Sequence, residues 1–138
     1  MTLKYLLDTN VVSEPLRPKP HRGVIRKLIR HEAEIAIPSV VWHELRFGAA
    51  RLPISRRRDA ITRYLDDVVN ATMPILDYDR AAAEWHALER ARLTGRGETP
   101  SFVDGQIAAI AQVNQLILVT FNHADFRRFQ GLRVLDWR

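Results

Sequence analysis

The sequence predicts an α/β fold in which a mostly parallel central sheet of about five short strands is sandwiched by helices. Short apolar runs alternate with segments of helical periodicity along the whole chain, which is typical of βαβ units. The 138 residues fit a single domain, 1–138, and a hydrophobic fraction of 46% is enough for a core. The absence of internal repeats and linkers also favours one domain.

The N-terminal third supplies two strands and a helix. An apolar strand is predicted over residues 3–7 and stops at Asp8. Residues 15–21 (PLRPKPH) contain three prolines and are predicted to be a loop. Apolar side chains at helical spacing over residues 24–29 indicate a helix, and residues 34–37 indicate a short strand closed by a proline.

The middle of the chain is predicted to be mainly helical. Ser39 is expected to cap a helix that runs to about Leu52, and Ser55 to cap the next one. A short strand over residues 73–76 belongs at a sheet edge, because its proline cannot donate a ladder hydrogen bond. Asp77 or Asp79 then begins a helix that ends near Gly95, followed by the polar loop 94–100.

The last third repeats the alternation. Ser101 begins a helix rich in alanine and isoleucine that ends near Asn114. The continuous apolar run over residues 116–120 is typical of a buried strand. A short helix over residues 122–129 and a last strand over residues 133–135 complete the predicted fold.

Composition narrows the function classes. The net charge is +5, and the basic residues cluster, which favours a polyanionic partner, although each cluster also fits the solvated face of a helix. The absence of cysteine excludes disulfides and thiolate metal sites and is compatible with a cytoplasmic protein. The chain lacks an apolar run of about 18 residues, so no membrane span is expected, and its first residues are unlike a signal peptide.

Four acids are candidates for a metal site. Asp8 follows the first strand, and Asp125 follows the predicted strand 116–120 closely, whereas Glu44 and Asp104 lie near the starts of helices. Such positions can converge at the carboxyl edge of a parallel sheet. Clustered carboxylates repel one another, and a hard cation such as Mg²⁺ or Mn²⁺ relieves that repulsion. With a basic rim, such a site suits phosphodiester hydrolysis.

Each acid also has a simpler structural explanation. Asp104 lies three residues after Ser101, which is the spacing of a capping box, and Asp125 has the same spacing from Asn122. Asp8 could begin a turn, yet a buried strand seldom ends in an unpaired acid, which favours a functional role. The apolar neighbours of Glu44 suggest that it is at least partly buried.

Other catalytic patterns are incomplete. The two His-Glu pairs lack the second histidine of H-E-x-x-H, and the five histidines are expected to be surface or hydrogen-bonded residues. Glycine-rich phosphate loops and the G-x-S-x-G turn are absent, and the three tryptophans are expected to pack in the core or an interface. Phosphotransfer on Asp8 would require a D-x-D pattern, but Asn10 occupies its second position.

The order of four segments, LLDTNVVSE, VVWHELRFGAARL, DGQIAAIA and LVTFNHADF, resembles the PIN-domain family, and most closely its small VapC-type and FitB-type toxins. The resemblance covers almost the whole chain. It implies an α/β sandwich with a Mg²⁺- or Mn²⁺-dependent ribonuclease site. It also implies a homodimer and a small cognate antitoxin that blocks the site.

The resemblance assigns roles to individual residues. Asp8, Glu44, Asp104 and Asp125 match the acids of the family, with Asp8 and Asp104 expected to hold the metal most directly and the other two directly or through water. The polar residues expected to support the site are Thr9, Asn10 and Asn122.

The chain departs from the family at Phe121, where arginine is frequent. The resemblance therefore leaves open whether a cation beside the scissile phosphate is absent or is supplied by Arg127 or Arg128.

Two functions follow as competing hypotheses. The first is a toxin endoribonuclease of a VapBC- or FitAB-like pair that hydrolyses RNA. The alternative is a catalytically weak PIN-fold binding module whose acids serve as caps and turns. Such a module would act mainly through a complex with antitoxin and operator DNA, and this complex could be a higher hetero-oligomer.

Overall fold

A computed structural model describes residues 2–138 and contains one five-stranded sheet in which every strand pair is parallel. The strands lie in the order β3-β2-β1-β4-β5. They are β1 (Tyr5–Leu7), β2 (Ile35–Pro38), β3 (Ile75–Leu76), β4 (Ile117–Val119) and β5 (Val134–Leu135). Helices flank this sheet, so the predicted α/β sandwich with about five short strands is confirmed.

Helices connect the strands throughout. They are α1 (Thr9–Val12), α2 (Arg22–Arg30), α3 (Ser39–Ala50), α4 (Arg56–Tyr64), α5 (Asn70–Thr72), α6 (Arg80–Gly95), α7 (Phe102–Val113) and α8 (His123–Phe126). A π-helical segment, Leu65–Val69, makes α4 and α5 continuous. None of the helices formed by residues 2–138 is long and apolar enough to cross a membrane.

The central strand β1 fixes where a site can form. It pairs with β2 on one side and with β4 on the other. The chain first builds β2 and β3 on one side of β1 and then crosses to build β4 and β5 on the other. The direction of winding therefore reverses between β1 and β4, and ligands of open α/β sheets bind at the carboxyl ends of the strands beside such a reversal.

The strands are short but fully buried at the centre of the sheet. All three residues of β1 and all three of β4 are buried, and both strands are continuous apolar runs. A strand covered by helices on both faces needs apolar side chains in both directions, which explains why these segments do not alternate. The rigid centre of the fold therefore ends directly at Asp8 and at Thr120.

Several predicted boundaries are confirmed. Ser55, Asp79 and Ser101 each accept a hydrogen bond from a backbone N–H in the first turn of their helices. The strand β3 lies at the sheet edge, and Pro74 accepts a hydrogen bond from the Ile37 N–H where it could not donate one. The tryptophans pack in or against the core, as expected.

Other boundaries are wrong. The N-cap of α3 is Pro38, and Ser39 is already the first helical residue, so its side chain makes no capping bond. The first strand begins at Tyr5, two residues later than predicted. The region predicted as a loop over 15–21 begins inside a 3-10 turn, Glu14–Leu16, because proline is tolerated in a first helical turn.

Candidate active site

Asp8 lies at the carboxyl end of β1 and is 8% exposed. Its Oδ2 accepts a hydrogen bond of 2.8 Å from the Thr120 hydroxyl, and its Oδ1 accepts one of 2.8 Å from the Thr9 backbone N–H. Its backbone carbonyl also accepts from two N–H groups of α1. Asp8 thus begins a helical turn and also presents a carboxylate at the sheet edge, so its structural role as a cap is compatible with a role in a functional site.

The environment of Asp8 disfavours its ionised form. Burial is the largest cause and raises the pKa of Asp8 above its ordinary value of 3.8. The hydrogen bonds from Thr120 and Thr9 lower this pKa, whereas the nearby charges of Glu44 and Asp125 raise it further. The net effect is a raised pKa, so ionised Asp8 is less stable in the folded protein than it would be in water.

Glu44 reaches Asp8 through one shared neighbour. The Thr9 hydroxyl donates a hydrogen bond of 2.8 Å to Glu44 Oε2, while the Thr9 backbone N–H serves Asp8. Thr9 therefore ties α3 to the end of β1. Contrary to the sequence interpretation, Glu44 is exposed, because it lies on the solvent side of α3 next to the buried Leu45.

Asp104 lies in the first turn of α7. Its backbone N–H donates to the Ser101 hydroxyl over 3.1 Å, which confirms the predicted cap. Burial is the largest cause of a raised pKa at Asp104, and the charges of Asp125, Asp8 and Glu44 add to it, while the interaction of its carboxylate with the Ser101 side chain lowers it. The capping bond occupies the backbone, so capping and a functional carboxylate coexist here as well.

Asp125 is exposed on α8, and its charge acts on both Asp8 and Asp104. The predicted cap by Asn122 is wrong: the side chain of Asn122 makes no capping bond, and the Asp125 N–H donates to the Asn122 backbone carbonyl. The backbone at Asn122 has φ −108° and ψ 55°, unlike the extended backbone of the caps Ser55, Asp79 and Ser101. Asn10 is exposed on α1, where its backbone carbonyl accepts from Ser13.

The sequence interpretation missed Thr120. This residue is fully buried, and its hydroxyl donates to Asp8 and accepts from the Asn122 N–H over 3.0 Å. A signal was present in the sequence, because Thr120 is a polar residue at the end of an apolar strand, as Asp8 is. What the sequence does not show is that β4 pairs with β1 and places the two residues side by side.

Thr120→Val should lower both stability and activity. The isosteric valine removes the O–H that donates to Asp8 and the oxygen that accepts from the Asn122 N–H. An unpaired buried polar group costs about 1–3 kcal/mol, and loss of a supporting residue typically costs about 10–100-fold in activity. Urea unfolding and RNA cleavage measure these effects. Thr120→Ser keeps the hydroxyl and should retain most of both, whereas equal losses in the two variants would contradict this role.

Beside Gly105 lies a histidine that meets the sequence expectation of a surface or satisfied polar residue only in part. His86 is 2% exposed, its Nδ1 shares a hydrogen bond of 2.8 Å with the Tyr78 hydroxyl, and its Nε2 has no partner among the described residues. Burial, with the charge of Arg90 as a second cause, lowers the pKa of His86. The His86 ring packs against Gly105. Helix α7 can lie this close to the ring only because Gly105 has no side chain at the point of contact.

The cation that contacts Phe121 is not one of the two arginines named from the sequence. The Arg138 guanidinium lies 4.5 Å from the centroid of the Phe121 ring, and its Nη2 donates to the Phe121 carbonyl over 3.2 Å. Arg127 and Arg128 are exposed, and the Arg128 guanidinium instead donates to a backbone carbonyl at residue 98. A substrate role for Arg127 and Arg128 stays a prediction.

The four carboxylates suit a hard cation by their chemistry. No three histidine, aspartate or glutamate side chains among residues 2–138 come close enough to form a complete ligand set. Mg²⁺, however, commonly takes one or two carboxylates directly and keeps waters. Each oxygen of Asp8 accepts a single hydrogen bond and retains a further lone pair. Oxygen-only donors whose neighbouring charges raise the pKa of Asp8 and of Asp104 therefore fit such an ion.

Comparison with known proteins agrees with this architecture. The family model described as PIN domain matches residues 5–132. The chain is 34% identical over 135 residues to the tRNA(fMet)-specific endonuclease VapC of Shigella flexneri, and the match covers 98% of each protein. It is 32% identical over 124 residues to Toxin FitB of Neisseria gonorrhoeae, a match that covers 88% of this chain and 89% of the toxin.

Solved structures show the same fold. FitAcB from Neisseria gonorrhoeae superposes with a TM-score of 0.89 at 29% identity, covering 96% of this chain and 97% of that one. DNA-bound VapBC from Salmonella typhimurium superposes with a TM-score of 0.86 at 29% identity and covers 99% of both chains. This chain belongs to the PIN-domain family and, within it, is similar to toxins of the VapC and FitB type.

Proposed function

We propose that this chain is a metal-dependent endoribonuclease that acts as the toxin of a VapBC- or FitAB-like toxin–antitoxin pair. The observation that carries the proposal is the group of four acids at the carboxyl edge of the sheet, whose charges act on Asp8 and Asp104. The names of the relatives, which include an endonuclease and ribonucleases called VapC, support the reaction.

The reaction is hydrolysis of an RNA phosphodiester. A bond forms between a water oxygen and phosphorus, and one bond from phosphorus to a ribose oxygen breaks. The water keeps its OH on the phosphate product and gives its other proton to the departing ribose oxygen, so atoms and charge balance. A bound divalent cation would supply an activated water and stabilise negative charge on the phosphate.

The side chains divide this task. Asp8 and Asp104 would hold the cation most directly, and Glu44 and Asp125 would act directly or through water. Thr120 and Thr9 hold the Asp8 carboxylate in one orientation through their two hydrogen bonds. Thr9 also holds Glu44, so one residue positions two acids from different elements.

A cleavage assay tests this proposal. The purified protein should cut RNA with Mg²⁺ or Mn²⁺ and should stop when EDTA removes the cation. Asp104→Asn should lower the rate by roughly 100-fold, on the scale at which metal-site residues act. Asp67→Asn is the matched control, because Asp67 is exposed in the π-helical segment. Cleavage in EDTA, or equal rates for the two variants, would contradict a metal-dependent site.

The proposed partners follow from the relatives. Structures of FitAB bound to the IR36 DNA fragment and of DNA-bound VapBC contain toxin-like chains with antitoxin and DNA. We propose that this chain likewise binds a small cognate antitoxin, and that the pair binds operator DNA. A homodimer and a cytoplasmic location stay predictions.

The same structures favour the binding-module hypothesis as the second candidate. Calorimetric titration with Mn²⁺ separates the two functions, because a pure binding module would take up no cation through its acids. Mn²⁺ uptake that disappears in Asp8→Asn supports the metal-dependent ribonuclease. RNA cleavage without Mn²⁺ uptake supports neither the metal-dependent ribonuclease nor the binding module.

A further inference from the structure

A basic groove lies between α2 and the C-terminal end of the chain. It has a volume of about 630 Å³ and is lined by residues of α2 together with Trp137 and Arg138. Its cationic lining residues are Arg26, Lys27, Arg30 and Arg138, with His21 at one end, and no acid is among the lining residues. We call this surface the α2 groove.

The charges on the α2 side of the groove are available to a ligand. Within residues 2–138, no acid forms an ion pair or hydrogen bond with Arg26, Lys27 or Arg30. With Arg22 they make four cations on one nine-residue helix, and their mutual repulsion costs stability. A polyanion laid in the groove would relieve that repulsion.

Arg138 connects the α2 groove to the acid site. Its Nε and Nη2 donate to the Asp136 carboxylate over 2.7–3.2 Å, and Nη2 also donates to the Phe121 carbonyl. Phe121 stands between Thr120, which binds Asp8, and Asn122. These contacts fix the guanidinium beside the carboxyl edge of the sheet, and its Nη1 makes no hydrogen bond within residues 2–138.

The direction of α2 carries the groove away from that edge. This helix joins the carboxyl end of β1 to the start of the parallel strand β2, so it runs antiparallel to the strands. Arg26, Lys27 and Arg30 lie in its later turns and therefore extend over about 6 Å, at a rise of about 1.5 Å per residue, toward the opposite edge. Trp137, packed edge-on against Tyr5, forms part of the wall.

We propose that the α2 groove binds the phosphate backbone of the RNA substrate on one side of the cleavage site, with Arg138 as the cation nearest the site. The inference rests on the proposed ribonuclease function. An RNA strand matches the groove because its consecutive phosphates can neutralise several neighbouring cations at once, and because a strand cut at the acids must leave the site along the surface. Backbone contacts of this kind supply affinity without reading sequence.

Binding of a fluorescein-labelled single-stranded oligoribonucleotide in EDTA tests the groove without cleavage. The variant Arg26→Gln/Arg30→Gln should raise Kd about 10-fold. It should also make the slope of log K against log salt shallower by about 1.4, since each phosphate contact on a single strand contributes about 0.7. The matched control is Arg56→Gln/Arg63→Gln, which removes two exposed arginines from α4 and so lowers the net charge by the same amount. It should leave the Kd and the salt slope close to those of the wild type.

The outcomes separate this inference from the function on which it rests. If the wild type cuts RNA but the α2 variant keeps its Kd and salt slope, the groove inference is wrong and the nuclease stands. If the α2 variant loses RNA affinity while no protein preparation cuts RNA, the groove stands as a binding surface and the nuclease falls. If the α2 variant keeps RNA affinity but loses affinity for poly-L-glutamate, the groove recognises an acidic polypeptide and the inference is overturned.

Discussion

Asp8→Asn should lower the rate of RNA cleavage by more than about 100-fold and, without metal, should raise the thermal stability of the protein at neutral pH. The first effect follows because asparagine cannot supply the charge that holds a cation. The second follows because the buried charge disappears. The amide oxygen can still accept from the Thr9 N–H and the amide N–H can donate to the Thr120 oxygen, so the one cost is that the Thr120 hydrogen loses its acceptor, which we expect to be smaller than the cost of the buried charge.

The pH dependence of this stability gain has a defined sign. Burial, together with the charges of Glu44 and Asp125, raises the pKa of Asp8 in the folded protein above the 3.8 of the unfolded chain. The folded state then binds more protons than the unfolded state between those two pKa values, so wild-type stability from this group falls as pH rises through that window. The gain in Asp8→Asn should therefore be absent below pH 3.8 and should grow as pH rises, until pH exceeds the raised pKa of Asp8 in the folded protein.

Thermal melting of both proteins across this pH range, in EDTA and in Mg²⁺, measures the effect. Mg²⁺ should stabilise the wild type more than Asp8→Asn, because a ligand stabilises only a folded state that binds it. Asp67→Asn, at an exposed position, should melt like the wild type. If Asp8→Asn melts below the wild type at neutral pH, or cuts RNA at the wild-type rate, Asp8 is not the buried carboxylate that holds the cation.

Gly105→Ala should destabilise the protein by about 1–3 kcal/mol, the usual cost of an overpacked core. The new methyl group would overlap the His86 ring, with Cδ2 only 2.6 Å away. That ring cannot withdraw easily, because Tyr78 binds its Nδ1 and Phe102 packs against it at 4.8 Å between ring centroids. α7 must therefore shift, and Asp104, one residue earlier, shifts with it, so RNA cleavage should fall as well.

Gly48→Ala is the matched control for this substitution. Gly48 also lies within a helix, but no atom lies within 4 Å of its added methyl group, so alanine should stabilise the protein by about 0.5–1 kcal/mol. Urea unfolding compares the variants. A double variant with His86→Ala should lose less stability than the sum of the two single changes, since the space for the methyl group then exists. Similar stability for Gly105→Ala and Gly48→Ala would show that the contact with His86 is unimportant.

Much of the fold could be predicted from the sequence because its signals are local. The apolar runs that become β1 and β4 are too short for helices and are followed directly by polar residues. The caps at Ser55, Asp79 and Ser101 depend on a side chain and a backbone N–H three residues apart, which a sequence shows directly. Ser39 failed as a cap because the preceding proline already has the extended backbone of a cap, φ −70° and ψ 147°.

The sequence by itself determined the order of the five strands and of the longer helices, the four candidate acids, and the resemblance to the family that their spacing indicates, whereas the short helix α1 directly after Asp8 was not predicted. Tertiary structure alone decided that β4 lies beside β1, which brings Thr120 to Asp8 across 112 positions of the chain. It also decided that Arg138, the last residue, reaches Phe121 and that His86 lies against Gly105. The physical reason is that strand pairing and burial join residues distant in sequence, whereas caps and hydrophobic periodicity act within one or two turns.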